Sequence, residues 1–309
     1  MDTTKLLAKI KQAIVVPSYN GRYSDDDILD LATEEQCITV VPIITSLRSE
    51  FFVVKEQQTV LASNNELVIP VRAVGRTLRS VKYNTNGTVV PMARIQIENE
   101  HYYSSMGEGS PAGFYVEGDR LVVIPTPVAN ATFDIWYEKK PSILTKTTST
   151  AIIQSIVKTN GVDIDGVVVN KVSSGIVANV ICDITKATAG YTITNQDVEV
   201  QNVAGLTITF KTFVTNVNIG DSVSLANYTS IVQLPEEATL VLVHATALRI
   251  LEGLGIPEQS NIAEKILLSK IKHLQEAVTP RVEGNRQKVL NNNGLVRNRV
   301  NRRFPSVTV

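Results

Sequence analysis

Hydrophobic positions change period three times along the chain. Over residues 4–16, Leu6, Leu7, Ile10, Ala13 and Ile14 share one helical face with lysines opposite, and Pro17 closes the segment. Ser24 ahead of Asp25, Asp26 and Asp27 offers an N-cap hydroxyl, a carboxylate three residues on, and negative charge at the positive end of a helix dipole. A second helix is therefore predicted from about Asp25. Its apolar positions Ile28, Leu31, Ala32, Ile38, Val41, Ile44, Leu47 and Phe51 keep helical spacing to about residue 53, with Pro42 expected to kink or restart it.

From about 56 to 140 the pattern becomes short and extended: Glu66–Pro70, Gly113–Glu117, Arg120–Ile124 and Ala131–Tyr137 read as strands, with Gly118-Asp119 as a hairpin turn. Within this meander Arg72, Arg76 and Arg79 stand at i, i+4 and i+7. A turn or two of helix would gather the three guanidinium groups, either as a contact to DNA or a neighbouring subunit or as a solvated, ion-paired face. Residues 151–230 hold 14 Val, 10 Ile and 10 Thr with four Lys and no Arg, and regularly spaced glycines punctuate them. Such a β-branched composition predicts a separate all-β domain, a sandwich or a barrel.

Helical spacing returns after Pro235. Leu240, Val243, Ala247, Ile250 and Leu251 form one face, and Val241, Leu242, Ala245 and Leu248 make the opposite side apolar too. A helix apolar all round is expected to be buried on all sides, by its own domain or by a neighbouring subunit. Gly253 and Gly255 end it, and a helix striped by Ile262, Ile266, Leu267, Ile271 and Leu274 follows from Pro257 to about Val278. The resulting expectation is an α+β chain: a helical bundle and small β-meander framework, an inserted all-β domain, and an extended basic C-terminal tail. Its segments are 1–56 (N-terminal helices), 57–145 (meander), 146–232 (inserted β domain), 233–280 (C-terminal helices) and 281–309 (tail).

Charge sharpens the division. The 309 residues carry 30 basic and 30 acidic side chains, a balance that argues against a surface built throughout to grip nucleic acid. The balance is not uniform. Residues 281–309 contain Arg281, Arg286, Lys288, Arg297, Arg299, Arg302 and Arg303 against Glu283 alone, which leaves 23 basic and 29 acidic groups in the preceding 280. The tail is basic and too poor in apolar residues to build its own core.

Candidate chemistry is sparse. Cys37 and Cys182 have no paired spacing and suit a reducing compartment, and His101, His244 and His273 lie in three different elements. No P-loop, H-E-x-x-H, C-x-x-C or G-x-S-x-G motif occurs, so no catalytic, metal or cofactor residues are assigned and no enzyme is expected. Ser104 to Gly113 reads as a glycine-rich flexible loop. The apolar run ending at Pro17 is too short for a signal sequence, and no 18-residue apolar stretch predicts a membrane span.

Four stretches carry a resemblance. Ile69-Pro-Val-Arg-Ala-Val-Gly-Arg-Thr-Leu-Arg79 comes first, then Phe114-Tyr-Val-Glu-Gly-Asp-Arg-Leu-Val-Val-Ile-Pro125 with Ile135-Trp-Tyr137 and Lys140-Pro-Ser142. Leu234-Pro-Glu-Glu237 running into Glu252-Gly-Leu-Gly255, and Thr279-Pro-Arg-Val-Glu-Gly284, complete the set. Together, and in this order, they resemble the head-to-tail connector (adaptor) proteins of tailed bacteriophages. The resemblance implies a virion protein assembled in the host cytoplasm: a homo-oligomeric ring, usually a dodecamer, between the portal protein and the tail or collar proteins, with double-stranded DNA passing through and no membrane contact. It also implies that helices pack side by side around the ring and that a C-terminal extension docks on the portal, the place held here by the basic residues of 281–309 with Phe304. The β insertion at 151–230 departs from compact members. The alternative is another virion tail or collar protein whose β domain binds host surface or carbohydrate, although the insertion offers only Tyr191, Phe210, Phe213 and Tyr228 for stacking on sugar.

Overall fold

The computed structural model describes residues 1–14, 22–48, 50–85, 88–99, 107–159, 163–187 and 193–278. The basic segment 281–309 lies outside the described residues, as do His101 and residues 104–106 of the Ser104 to Gly113 loop. Residues Met1–Val278 form one compact unit.

The first helix, α1, is Thr3–Ile14 and buries Leu6, Leu7, Ile10 and Ile14. Ser24 caps α2, Asp25–Glu35, in a reciprocal box: its hydroxyl accepts from the Asp27 amide, and the Asp27 carboxylate accepts from the Ser24 amide. Helical structure then widens into a π turn, Gln36–Val40, before α3, Val41–Leu47. Pro42 explains the widening, because it has no N–H to donate and its ring would strike the carbonyl of Ile38 in a regular α-helix. The Val41 amide bonds Gln36 instead, five residues back. That extra residue moves the helix out of phase, and Ile38, expected on the buried stripe, is 71% exposed. The helix also stops at Leu47, short of residue 53, and Phe51 and Phe52 stack edge to face in the connection that follows.

Two small sheets come next. Strands β1 (Val53–Val60), β3 (Ala73–Thr85), β4 (Thr88–Pro91) and β10 (Ala131–Lys139) pair antiparallel in the order β1-β10-β3-β4. The second sheet has the order β2-β8-β7-β5, from Glu66–Val68, Arg120–Ile124, Gly113–Glu117 and Ala93–Arg94. Gly118-Asp119 does make the tight turn between β7 and β8, with Gly118 at φ 61°. Glu108–Gly109 (β6) and Thr126–Pro127 (β9) add a short parallel pair. Leu67, Phe114, Leu121, Val123, Phe133, Ile135 and Tyr137 fill one core between the sheets.

The β-branched stretch closes into a six-stranded antiparallel barrel. Its strands are β12 (Ala151–Thr159), β13 (Asp163–Val169), β14 (Ile181–Thr185), β15 (Ile193–Ala204), β16 (Thr207–Val214) and β17 (Ser222–Leu225), in the order β12-β13-β16-β15-β14-β17. Pairing of Ala151 with Val223 completes the circle. Ile153, Val167, Val169, Ile184, Val200, Ile208, Phe210 and Val223 fill its interior. Closure requires strands to approach closely at Gly166, where a Cβ would stand 2.9 Å from the Ile208 carbonyl oxygen.

The chain reaches the barrel through β11 (Ile143–Leu144) and leaves it through β18 (Tyr228–Thr229), which pair in parallel. The N-terminus stitches this neck: Thr3 Oγ1 donates to the Thr145 carbonyl at 2.8 Å, the Thr3 amide to Ser230, and the Val232 amide to Met1. Helix α4, Glu236–Gly253, then packs against α1, α2 and the final helix α5, Pro257–Val278.

Gly166→Ala is expected to destabilise the protein by about 1–3 kcal/mol, because the new methyl meets backbone that cannot swing aside. A lowered urea midpoint at unchanged slope would show this; an unchanged midpoint would mean that the strands need not approach so closely.

Candidate functional site

The most concentrated polar chemistry lies where the meander meets the barrel. Arg72 stands in the turn between β2 and β3, its carbonyl holding the Lys140 amide at 2.7 Å, and its side chain is only 6% exposed. The guanidinium forks onto Asp183, with Nη1 donating to Oδ2 at 2.7 Å and Nη2 to Oδ1 at 2.9 Å. Nη2 also donates to Asp197 Oδ1.

Asp183 is fully buried, yet it belongs to the outer surface of the barrel: its neighbours Cys182 and Ile184 point inward, and strand alternation turns Asp183 out, beneath the meander. Its carboxylate also accepts from the amides of Asp197 and Asn227, each at 3.0 Å. Burial works against the charge on Arg72, but Asp183, and after it Asp197, outweigh burial and hold the guanidinium above its ordinary pKa.

Beside this clamp sits Lys139, at the end of β10. Its Nζ donates to Gln196 Oε1 at 3.0 Å. Burial, reinforced by the positive charge of Arg72 and only partly offset by Asp183 and Asp197, lowers its pKa from 10.5 to about 8. On the same strand, Tyr137 is pushed up to about 12 by burial and then by the charge of Glu56, to which its hydroxyl donates at 3.3 Å. A cavity of about 410 Å³ opens alongside, walled by Phe51, Phe52 and Pro141 and reached by Lys55, Lys139 and Lys140. The arrangement suits holding charge in place.

The arginine trio expected from the sequence does not assemble. Residues 73–85 form a strand, so spacing at helical intervals gathers nothing, and Arg72 is taken inside the chain by two carboxylates. Arg72 is accordingly withdrawn as a contact to DNA or a neighbouring subunit. Arg79 is 38% exposed and lies 3.8 Å from Glu138, and the side chain of Arg76 lies outside the described residues. In α4, Val243, Ala247, Ile250 and Leu251 are buried, but Leu240 is 41% exposed, so burial on all sides does not hold within the single chain. The aromatic set considered for sugar binding also shrinks, because Phe210 points into the barrel core.

His244 is half-buried in α4, with its pKa lowered by burial and then by Lys270, and Cys182 is pushed up to about 12 inside the barrel. Among the described residues no group of three or more His, Cys, Asp or Glu gathers around a common point, and no helix is long and apolar enough to cross a membrane. Sequence reasoning missed Asp183, Asp197, Lys139 and Gln196. One signal was readable: an aspartate between Cys182 and Ile184, in a strand otherwise without charge, requires a buried partner.

Comparison with known proteins settles the class. The family described as SU10 adaptor protein matches residues 1–164, just over half of the chain. The chain belongs to the SU10 adaptor protein family. It is a structural phage adaptor and a component of the virion, which is not an enzyme class. The matched span includes the N-terminal helices and both sheets and runs into β13, so Arg72 and Lys139 lie inside it while Asp183 and Asp197 lie beyond it. The clamp thus ties the adaptor's family portion to the strands that follow. No curated protein matches the chain.

Arg72→Ala in the adaptor should cost about 3–5 kcal/mol, because it leaves the Asp183 carboxylate buried without its counter-charge. Urea unfolding checks this, and a loss below ~1 kcal/mol would show the clamp to be incidental. Lys139→Met should act oppositely. A folded lysine pKa near 8 against 10.5 unfolded means that the burdened, charged form destabilises the fold below pH 8, and that this burden fades as pH rises from 8 toward 10.5. The methionine variant should therefore melt higher than the parent at pH 7, with the difference shrinking at alkaline pH.

Proposed function

We propose that the adaptor assembles into a ring, twelve-membered as the resemblance implies, which joins the portal to the tail and lets double-stranded DNA pass. Membership of the family carries this reading. The charge distribution supports it. A body with a slight excess of acidic groups gives a DNA lumen no reason to stick, whereas a tail with seven basic residues and one acidic residue is suited to docking on an acidic protein surface.

The helical hairpin supports ring formation. α4 is buried by α1, α2 and α5, yet Leu240 on α4 is 41% exposed and Ile262, Ile266 and Leu268 on α5 are 60%, 39% and 59% exposed. Exposed apolar side chains on two adjoining helices are what a neighbouring subunit would cover. In this arrangement 1–56 and 233–280 supply the ring helices, 57–145 supports them, 146–232 carries the barrel toward tail or collar proteins, and 281–309 anchors on the portal through Arg281, Arg286, Lys288, Arg297, Arg299, Arg302, Arg303 and Phe304.

Removing residues 281–309 should leave a chain that folds with unchanged thermal stability but no longer co-sediments with portal. Full co-sedimentation of the shortened chain would overturn the anchor assignment.

A further inference from the structure

Polar and apolar positions are inverted at the π turn. Gln36 is fully buried, and neither its Nε2 nor its Oε1 has a hydrogen-bond partner, while Ile38, two residues on, stands in solvent. Burial of an unmatched amide costs the isolated chain stability, and the turn that carries it also carries the most exposed apolar side chain of the helices. Local rules are broken in this way where a surface has a use.

Ile38 ends a stripe. Asp26, Asp30, Glu34 and Ile38 recur every four residues and all are exposed. The helix α2 that carries the stripe has six acidic and no basic residues. Asp26 is paired with Lys146, whereas Asp30 and Glu34 have no ion pair among the described residues.

The complement lies on another helix. Along α5, Lys265, Leu268 and Lys272 fall at i, i+3 and i+7 on one exposed stripe, flanked by Ile262 and Ile266. Neither lysine has an ion pair among the described residues. Glu264 beside the stripe leaves it with one positive charge in excess; Glu276, one turn beyond Lys272, lies 3.9 Å from His273, and Glu258 stands two turns before Lys265. Glu34 precedes Ile38 by four residues, about 6 Å along the axis, and the two lysines stand three and four residues from Leu268. With Ile38 placed on Leu268, Glu34 therefore reaches a lysine whichever way the two helices run. Apolar meets apolar, and the charges are opposite in sign.

We propose that Ile38 is the knob of the subunit contact: the α2 stripe of one copy lies on α5 of the next, with Ile38 seated among Ile262, Ile266 and Leu268 and the carboxylates of α2 on the lysines of α5. This rests on the ring reading above and names the surfaces that join the copies. Knob and socket belong to different helices, so the contact is head to tail and repeats around a ring instead of closing as a pair.

Cross-linking of the full-length adaptor on portal tests this. In a Cys37→Ser background, Ile38→Cys and Leu268→Cys are introduced singly and together, each variant is confirmed folded by its melting curve, and a short bismaleimide is added; the remaining Cys182 is sealed in the barrel. The chain with both substitutions should give a ladder of multimers, an equal mixture of the two single variants should give dimers alone, and either single variant by itself should give neither. Ile38→Lys, which brings a cation against Lys265 and Lys272, should lower the yield of rings at least tenfold. Wild-type rings on portal without a ladder, or rings undiminished in Ile38→Lys, would overturn these surfaces and leave the ring reading standing. Dimers from Ile38→Cys alone would mean a symmetric contact, and its cross-linking to portal would give the face to portal; either overturns the proposal. Wild-type chain that forms no ring would overturn both this contact and the reading it rests on.

Discussion

A buried arginine forked onto a buried aspartate joins two parts of this chain that are built on different principles. The meander is two open sheets over an apolar core, and the barrel is closed upon itself with its own core, so neither requires the other for burial of its interior. Contact between them could have been loose. The pair Arg72 and Asp183 makes it specific, because a guanidinium accepts only a narrow range of positions for a carboxylate and because either charge alone would be intolerable so far from water. The neck adds a second constraint: β11 and β18 run side by side and are held by the N-terminal residues Met1 to Thr3. A domain reached through two adjacent strands and clamped at a distance by an ion pair has little freedom to swing.

Local features of this fold were legible in the sequence. The Ser24 and Asp27 capping box, the Gly118-Asp119 turn and the stop at Gly253 to Gly255 each depend on residues a few positions apart, and each appears in the structure. The barrel was legible as a class, since 34 β-branched residues in 80 leave little choice but strands. What escaped was set by distance or by phase. Arg72 and Asp183 are 111 residues apart, and nothing near Arg72 distinguishes it from an exposed arginine. Gln233 lies in the neck, where only the return of the chain beside Ser142 reveals that one end of its amide is unmatched. Ile38 fell off the buried stripe because one proline, four residues ahead, widened a helical turn.

The electrostatics fit the proposed passage of a polyanion. Positive charge is placed where it is neutralised or withheld: Arg72 is consumed by two carboxylates, Lys139 is partly dehydrated, and the largest cationic excess stands in the last 29 residues. The balance of 30 against 30 is therefore a sum of unlike regions, and its meaning lies in their separation. The exposed leucine and isoleucines of the α4–α5 hairpin complete the picture of a subunit shaped for neighbours.

The central claim is that this chain is a ring-forming adaptor seated on a portal. Negative-stain electron microscopy of the full-length chain mixed with portal tests it most directly, because the proposed ring and its seat on the portal are both visible in one image. The account predicts closed rings coaxial with the portal, with an open axial channel. Portal particles left bare, with the chain monomeric or assembled elsewhere in the field, would contradict it.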